Sequence, residues 1–364
     1  MDMLQEFRKS EYSKALINQI HKQQTEEKFT IMEVCGGHTA AILKYGIKDL
    51  LPESIELISG PGCPVCVTTS DFIDKGIELS HIEEVIVSSY GDVLRVPGSK
   101  SNLLKEKNAG RDIRICYSTL DAVEIAKQNP DKTIVFLALG FETTTPMTAI
   151  ALKRARESRL TNFFILSGHK TMPEPMKIIA SDPESRIEAF LLPGHVTTIT
   201  GTGIYKNLSR DYHKFCSVSG FEPVDILHAI LSLLEQRKKQ DYSIQNKYSR
   251  AVSEEGNLKA RELIKEVFEE VDVAWKGFGL IPKSGMGLRR EWKQYDILEK
   301  YKLSNTVAGE NPACICGDIL KGKENPTACR LFAKACTPEH PKGACMVSDE
   351  GTCASYYRYQ SVES

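Results

Sequence analysis

Sulfur is concentrated in the last fifty-odd residues of this 364-residue chain. Cys314, Cys316, Cys329, Cys336, Cys345 and Cys353 follow the pattern C-x-C-x12-C-x6-C-x8-C-x7-C. Thiolates at this density are ligands for zinc or for an iron–sulfur cluster. The paired C-x2-C knuckles of zinc ribbons are absent from the pattern. A [4Fe–4S] cluster takes four thiolates. Two of the six cysteines are then left over, and a surplus pair beside an electron carrier points to a redox-active dithiol. Spacing alone leaves open which four would be ligands.

A second group of reactive residues sits in Gly-rich loops. EVCGGHT carries Cys35 and His38, and SGPGCPVC carries Cys63 and Cys66. A cysteine between a strand and a helix start meets backbone amides and the helix dipole, which favour the thiolate. C-x-x-C in a reducing compartment is either a dithiol couple or half of a metal site. Further loops offer Asp92 and Arg95 in YGDVLRVPG, Glu142 in GFETTT, His169 in SGHK and His195 in PGHVTT, while Glu350 is the acid nearest the last cysteine. Singly, such residues are more often structural; together they place a polar or reactive group at every strand end. GFETTT lacks the Gly spacing and Lys of a phosphate loop.

The elements that must hold these loops read as α/β. TIMEV, IELIS, EVIVSSY and IRICYS, then TIVFLALG, NFFILSG, EAFLLPG and FCSVSG, are short apolar runs that alternate with helical stretches, the signature of parallel sheets. The two sets match unit by unit, EVCGGHTAAI against ALGFETTTPMTAI and LISGPGCPVC against ILSGHKTMPE, which predicts a duplicated α/β unit. Sites in such sheets lie at the carboxyl ends of strands. The expected fold is α/β: two similar Rossmann-like parallel-sheet domains plus a mostly helical, cysteine-rich domain. Residues 3–27 predict an amphipathic helix (1–28) packing with the C-terminal domain. Domain I spans 29–119 and domain II 120–237. Domain III spans 238–364, with KGFGLIPKSGMGL as a Gly-rich connector and a tail that needs a metal centre as its core.

Composition narrows the function. With 47 Lys and Arg against 48 Asp and Glu, the formal net charge is −1, so no basic face for nucleic acid is implied. The charged N-terminus has no signal core and no apolar run is of membrane-spanning length. A cytoplasmic location without a membrane is expected, where 11 cysteines are better explained by metal or redox chemistry than by disulfides.

Taken together, EVCGGHT, GPGCPVC, YGDVLRVPG, GFETT, PGHV and the tail CICG…AC…ACTPEHPKGACMVSDEGTCAS resemble the hydrogenase maturation factor HypD family over essentially the whole chain. The resemblance implies a redox-active assembly factor for the Fe(CN)2CO group of [NiFe]-hydrogenases. It would work in complex with a HypC-type chaperone and accept cyanide equivalents from a HypE-type donor. It also implies a [4Fe–4S] cluster on Cys314, Cys329, Cys336 and Cys353, with Cys316 and Cys345 as the adjacent redox pair. Cys35 would bind the iron of Fe(CN)2CO, with Cys63 and Cys66 as dithiol or transient iron ligands. Asp92 and His195, and less directly His38 and Glu350, would supply proton transfer or hydrogen bonds. Two rival readings stand beside this one: a thiol–disulfide oxidoreductase of the ferredoxin–thioredoxin reductase type, and a passive zinc scaffold.

Overall fold

The computed structural model describes residues 11–23, 26–304 and 311–360. Eight strands build two parallel sheets: β1 Phe29–Glu33, β2 Ile55–Ser59, β3 Val85–Ser89, β4 Ile113–Ile115, β5 Thr133–Gly140, β6 Phe163–His169, β7 Ala189–Pro193 and β8 Phe215–Ser219. A short β9, Ile244–Asn246, extends one sheet, and an antiparallel pair, β10 Phe268–Trp275 and β11 Gly279–Leu288, stands apart. Helices named below are α1 Glu11–Lys22, α2 Gly36–Lys44, α3 Ser70–Ser80, α4 Thr119–Gln128, α5 Thr145–Glu157, α6 Pro173–Ser181, α7 Gly194–Thr200, α8 Pro223–Lys239, α9 Leu258–Val267, α10 Cys316–Leu320 and α11 Thr352–Tyr359. The sheet strands are runs of apolar residues because both faces are covered by helices. Every residue of β1, β3, β5, β7 and β8 is buried.

The sheets do not follow a division at residue 119. One sheet has the order β2-β1-β7-β8-β9 and the other β4-β3-β5-β6. Each therefore takes two strands from the first half of the chain and two from the second. Matching β1 to β4 of one half with β5 to β8 of the other turns β2-β1-β7-β8 into β6-β5-β3-β4, the second sheet's own order. The duplication read in the sequence is present, with strands exchanged between the copies. All these pairings are parallel. Residues of 29–119 and 120–237 thus share both lobes.

The N-terminal helix packs elsewhere than expected. Leu16 and Ile20 of α1 are buried in a cluster with Phe29, Ile31, Leu57, Leu191, Phe215 and residues of α8. That cluster contains no tail residue, so α1 belongs with the first sheet and not with the C-terminal region. Residues 3–10, 24 and 25 of the expected helix lie outside the described residues.

The region after residue 238 is distributed over the lobes. β9 pairs with β8, α9 packs on α5, and β11 packs on β6 and α6. The stretch read as a Gly-rich connector is the turn and second strand of the β10–β11 hairpin. Its glycines fit that role, since Gly277 and Gly279 have φ of +82° and +78°, the left-handed region that favours glycine. The tail does not rely on a separate core. Ile319, Leu320, Ala344, Met346 and Val347 are buried in the same cluster as Met32, Val34 and Ile58 of the first sheet. Among the described residues no helix is long and apolar enough to cross a membrane.

Candidate functional site

Cys35 and the Cys63/Cys66 loop leave neighbouring strand ends. β1 and β2 pair in parallel with Glu33 opposite Ser59, and the Gly60 N–H donates to the Glu33 carbonyl at 2.8 Å. Beyond the strands the loops stay in contact: the Gly36 N–H donates to the Gly62 carbonyl at 3.1 Å. All eleven cysteines are free thiols in the structure.

Cys35 is 9% exposed and caps α2 in an extended conformation. The Gly37 and His38 N–H groups point at its sulfur and favour the thiolate, as the strand–helix junction predicts. Burial outweighs them. It pushes the thiol up to about 12, and the Glu350 carboxylate adds to the rise. In the metal-free chain Cys35 is therefore a neutral thiol, and a bound cation would be needed to deprotonate it.

Glu350 reaches this sulfur because its loop sits on the helix start. A β-carbon on Gly36 would fall 2.2 Å from the Glu350 carbonyl oxygen and 2.5 Å from its Cβ. Partial burial raises the Glu350 carboxyl, and the Asp92 carboxylate raises it further. Asp92 lies just beyond β3, where the Arg95 guanidinium donates to the Val347 carbonyl at 2.9 Å and fastens that loop to the tail. Glu350 thus stands between two parts of the chain, facing Cys35 on one side and Asp92 on the other.

Two imidazoles stack on one ring. His38 and His195 lie 4.8 Å and 3.9 Å from the Phe221 centroid, each tilted by 27°. Phe221 also fills the space in front of Gly37, 3.0 Å from where a β-carbon would be. His38 is fully buried, its Nε2 bonds to the Gly220 carbonyl at 3.0 Å, and Nδ1 has no partner. With a carbonyl as acceptor, Nε2 carries the proton and Nδ1 presents a free lone pair. Burial lowers His38 to about 4 and also lowers the half-exposed His195. Both rings are neutral near pH 7.

The second thiol group joins the first. The Cys66 N–H donates to the Cys63 sulfur at 3.3 Å, as a tight C-x-x-C turn requires. The Cys66 thiol, raised by burial, hydrogen-bonds to Cys345 and to Cys63. Cys345 in turn is held well below the ordinary thiol value by hydrogen bonds from Cys316, Cys353 and Cys66, in that order. Cys345 is fully buried. It is the sulfur that touches both the loop dithiol and the tail thiols.

The other five tail cysteines, Cys314, Cys316, Cys329, Cys336 and Cys353, line one small enclosed cavity with Ile319, Leu331, Phe332 and Met346. Gly343 completes the wall: a β-carbon there would lie 2.7 Å from the Cys314 sulfur and 3.3 Å from that of Cys316. Among the described residues no three His, Cys, Asp or Glu side chains converge on a single metal-ion position. The thiols surround a space instead of meeting at a point. Contact with Cys316 and then burial raise the Cys314 thiol, and burial raises Cys336.

Some participants carry no sequence signal of their own. Glu33, at the end of β1, accepts the Cys35 N–H at 3.1 Å and the Thr39 hydroxyl, and burial raises it to about 8. It holds the Cys35 turn as a neutral acid near pH 7. Phe221 reads as an ordinary apolar residue until the fold sets it under two histidines. At the matching end of the second sheet, Glu142 is buried, accepts the Met172 N–H at 3.0 Å and leaves Oε2 unpartnered. His169 beside it bonds to Thr148 at 2.9 Å. The sequence signal for both is a polar residue at the end of an apolar strand, and the structure keeps them in the second lobe.

Comparison with known proteins agrees with this arrangement in scope. The family model described as "HypD: Hydrogenase formation hypA family" matches residues 11–360. The chain is 43% identical over 368 residues to "Hydrogenase maturation factor HypD2" of Bradyrhizobium diazoefficiens, covering 99% of this chain and 97% of that protein. It is 41% identical over 370 residues to the protein of that name, HypD, from Rhodobacter capsulatus, covering 99% and 98%. It is 39% identical over 371 residues to HypD of Escherichia coli, with both chains covered in full. With residues 11–360 matched by the family model and relatives of 39–43% identity covering 99–100% of it, the chain belongs to the HypD family of hydrogenase-formation proteins.

Proposed function

We propose that this protein is a hydrogenase maturation factor that acts as scaffold and thiol-redox protein in the assembly of an Fe(CN)2CO group. The observation that carries the reading is the line of sulfur from the Cys35 loop through Cys63, Cys66 and Cys345 to the thiol-lined tail cavity. Family membership supplies the substrate class. The iron is cargo. Cyanide and carbonyl ligands make it a soft centre that accepts thiolate. Cys35 grips it, its thiol losing a proton to the cleft as the cation arrives. Glu350 is the carboxylate that acts most strongly on that sulfur, and Asp92 faces Glu350. His38 and His195 present neutral imidazoles to the same cleft. A HypC-type chaperone completes the grip, and a HypE-type protein donates the cyanide equivalents.

The donor set of the tail suits a [4Fe–4S] cluster: Cys314, Cys329, Cys336 and Cys353 all line one small cavity, and glycine at 343 lets the chain pass close to the sulfurs of Cys314 and Cys316. When bound, the cluster supplies single electrons from a buried store. The chain's own thiols do the rest. Cys345, held as thiolate, attacks Cys66 of an oxidised Cys63–Cys66 pair and releases the Cys63 thiolate. Cys316 then attacks Cys345, which frees Cys66. Two electrons and two protons move inward, leaving a Cys316–Cys345 disulfide that a bound cluster, itself recharged by an external one-electron donor, would reduce.

Infrared spectroscopy of the protein co-purified with its HypC-type partner tests the reading. Bands of metal-bound cyanide and carbonyl are expected, and Cys35→Ala should remove them. Bands that survive in Cys35→Ala would refute the assignment. Retained binding without Cys35 would favour the thiol–disulfide oxidoreductase, which needs only Cys63 and Cys66. One zinc per colourless chain would favour a passive scaffold.

A further inference from the structure

Phe332 belongs to two cavities. It lines the small space enclosed by the tail thiols, and it also lines a surface groove of about 810 Å3 between the C-terminal end of α2 and the tail. One side chain therefore separates the sulfur site from the outside at this point.

The turn that carries Phe332 presents it in this way. The Phe332 N–H donates to the Cys329 carbonyl at 3.0 Å, and the Cys336 N–H to the Leu331 carbonyl at 2.9 Å. Ala333 takes a φ of +54°, the left-handed region that a side chain disfavours, and the chain reverses there. Phe332 is left 8% exposed with its ring edge-on to Tyr357 at 6.4 Å, while Lys334 is exposed. Cys329 opens the turn and is, with Cys314, one of the two cavity thiols that are only partly buried.

The groove is cationic. Lys48 and Lys334 line it against a single acid, Asp49, and the exposed Lys44 follows Leu43 of its wall. The whole chain carries a formal charge of only −1, so this excess of cations is local. No cysteine lines the groove, so a partner seated there cannot exchange disulfides with the chain. Electrons can still cross the Phe332 wall.

We propose that this groove is the docking site for a small acidic one-electron carrier protein, which delivers electrons past Phe332 to the group held by the tail thiols. The proposal rests on the cluster assignment made above. Returning the Cys316–Cys345 disulfide to two thiols takes two electrons and two protons. Two carrier molecules each lose one electron and leave oxidised, and the protons come from solvent. Cys345 touches Cys66 and does not line the cavity, so electrons enter by one wall and leave by another. A patch of this size suffices, because electron-transfer encounters bury less than about 1,200 Å2.

The test mixes the anaerobically purified full chain with a reduced, acidic plant-type ferredoxin and follows bleaching of the chain's iron–sulfur absorbance by stopped flow. Reduction should slow as salt is added. Lys48→Glu with Lys334→Glu should slow it about tenfold at low salt. Dithionite, which needs no docking, should reduce parent and variant at the same rate. Lys48 is held by the Tyr356 hydroxyl at 3.3 Å, so if the double variant melts early, Lys334→Glu alone should still slow the ferredoxin reaction about threefold. A second arm joins the oxidised ferredoxin to the chain by carbodiimide cross-linking and maps the products by peptide mass spectrometry. Cross-links are expected at Lys44, Lys48 or Lys334. If the parent purifies without iron and sulfide, the cluster assignment fails and the cross-links alone decide whether the carrier docks here. Salt-independent reduction that charge reversal leaves unchanged, cross-links elsewhere on the chain, or cross-links that join two copies of this chain through the groove would each overturn the proposal.

Discussion

Gly62 has no space for a side chain because Cys35 occupies it: a β-carbon at Gly62 would lie 2.3 Å from the Cys35 N and 2.4 Å from its Cα. The two loops approach until only hydrogen fits between their backbones. Gly62→Ala must therefore push Cys35 away from the dithiol loop. Overpacking of this kind costs about 1–3 kcal/mol. Thermal unfolding should report that loss, and the metal cyanide and carbonyl bands should weaken more than the loss of folded protein accounts for. A variant with parental bands would show that the close approach does not serve iron binding.

Cys345 and Cys336 make opposite predictions. Cys345 faces Cys66 and does not line the tail cavity, whereas Cys336 does. Cys345→Ser should keep its iron and acid-labile sulfide while losing the ability to re-reduce Cys63 and Cys66 after mild oxidation. Cys336→Ser should lose iron. Metal analysis and differential alkylation separate the two. Loss of iron in Cys345→Ser would assign that sulfur to the cluster instead.

The reactivity of Cys35 should climb with pH. Its thiol is pushed up to about 12, so between pH 7 and 10 the thiolate fraction grows about tenfold per unit. Iodoacetamide labelling of Cys35 in the metal-free chain should follow that slope. Glu350→Gln removes a carboxylate that raises the thiol, and should speed labelling at every pH in the window. A slower rate in this variant would mean that Glu350 does not face Cys35.

The Glu33 contribution to stability should fall as pH rises toward 8. Burial raises Glu33 from 4.5 to about 8, so between those values the folded chain holds a proton that the unfolded chain has released. Rising pH then favours unfolding by up to about 1.4 kcal/mol per unit. His38 acts in the other direction and lower down. Burial takes it from 6.5 to about 4, so its contribution is lost as pH falls through that range. Between pH 6.5 and 7 Glu142, also raised by burial to about 7, acts with Glu33, and above pH 7 Lys170, lowered by burial to about 7, acts against it, so the Glu33 share of the pH slope is read as the difference between the parent and a variant at this position. Glu33→Gln should remove that share in urea titrations, and an unchanged slope would show that Glu33 is not the buried acid responsible.

The strands were legible because parallel sheets need unbroken apolar runs: TIVFLALG and EAFLLPG could be little else, and β5 and β7 are buried throughout. The reactive loops were legible for a related reason, since a Gly-flanked cysteine or histidine after such a run has no core to fill. Partner strands were not legible. Nothing local in IELIS or EVIVSSY says which sheet each joins, and the sheets exchange strands between the halves. The hairpin was missed because Gly277, Gly279, Gly285 and Gly287 weaken any strand signal. They are tolerated because Val271 and Val273 of the facing strand take up the space beside Gly285 and Gly287. Glu33 ends β1 with nothing in EVCGGHT to mark it as buried. Its burial depends on Thr39 and Ser59 closing over it, which spacing does not reveal.

The exchange of strands also bears on how the molecule is born. β1 and β2 emerge from the ribosome first, yet β1 must wait for β7, and β7 for β8, before the sheet bearing Cys35 is complete. Synthesis therefore leaves the Cys35 loop without its full support until β7 and β8 have been made. A half-made chain holds the Cys35 loop at the end of a strand that still lacks β7, so the geometry around that thiol depends on residues far along the sequence.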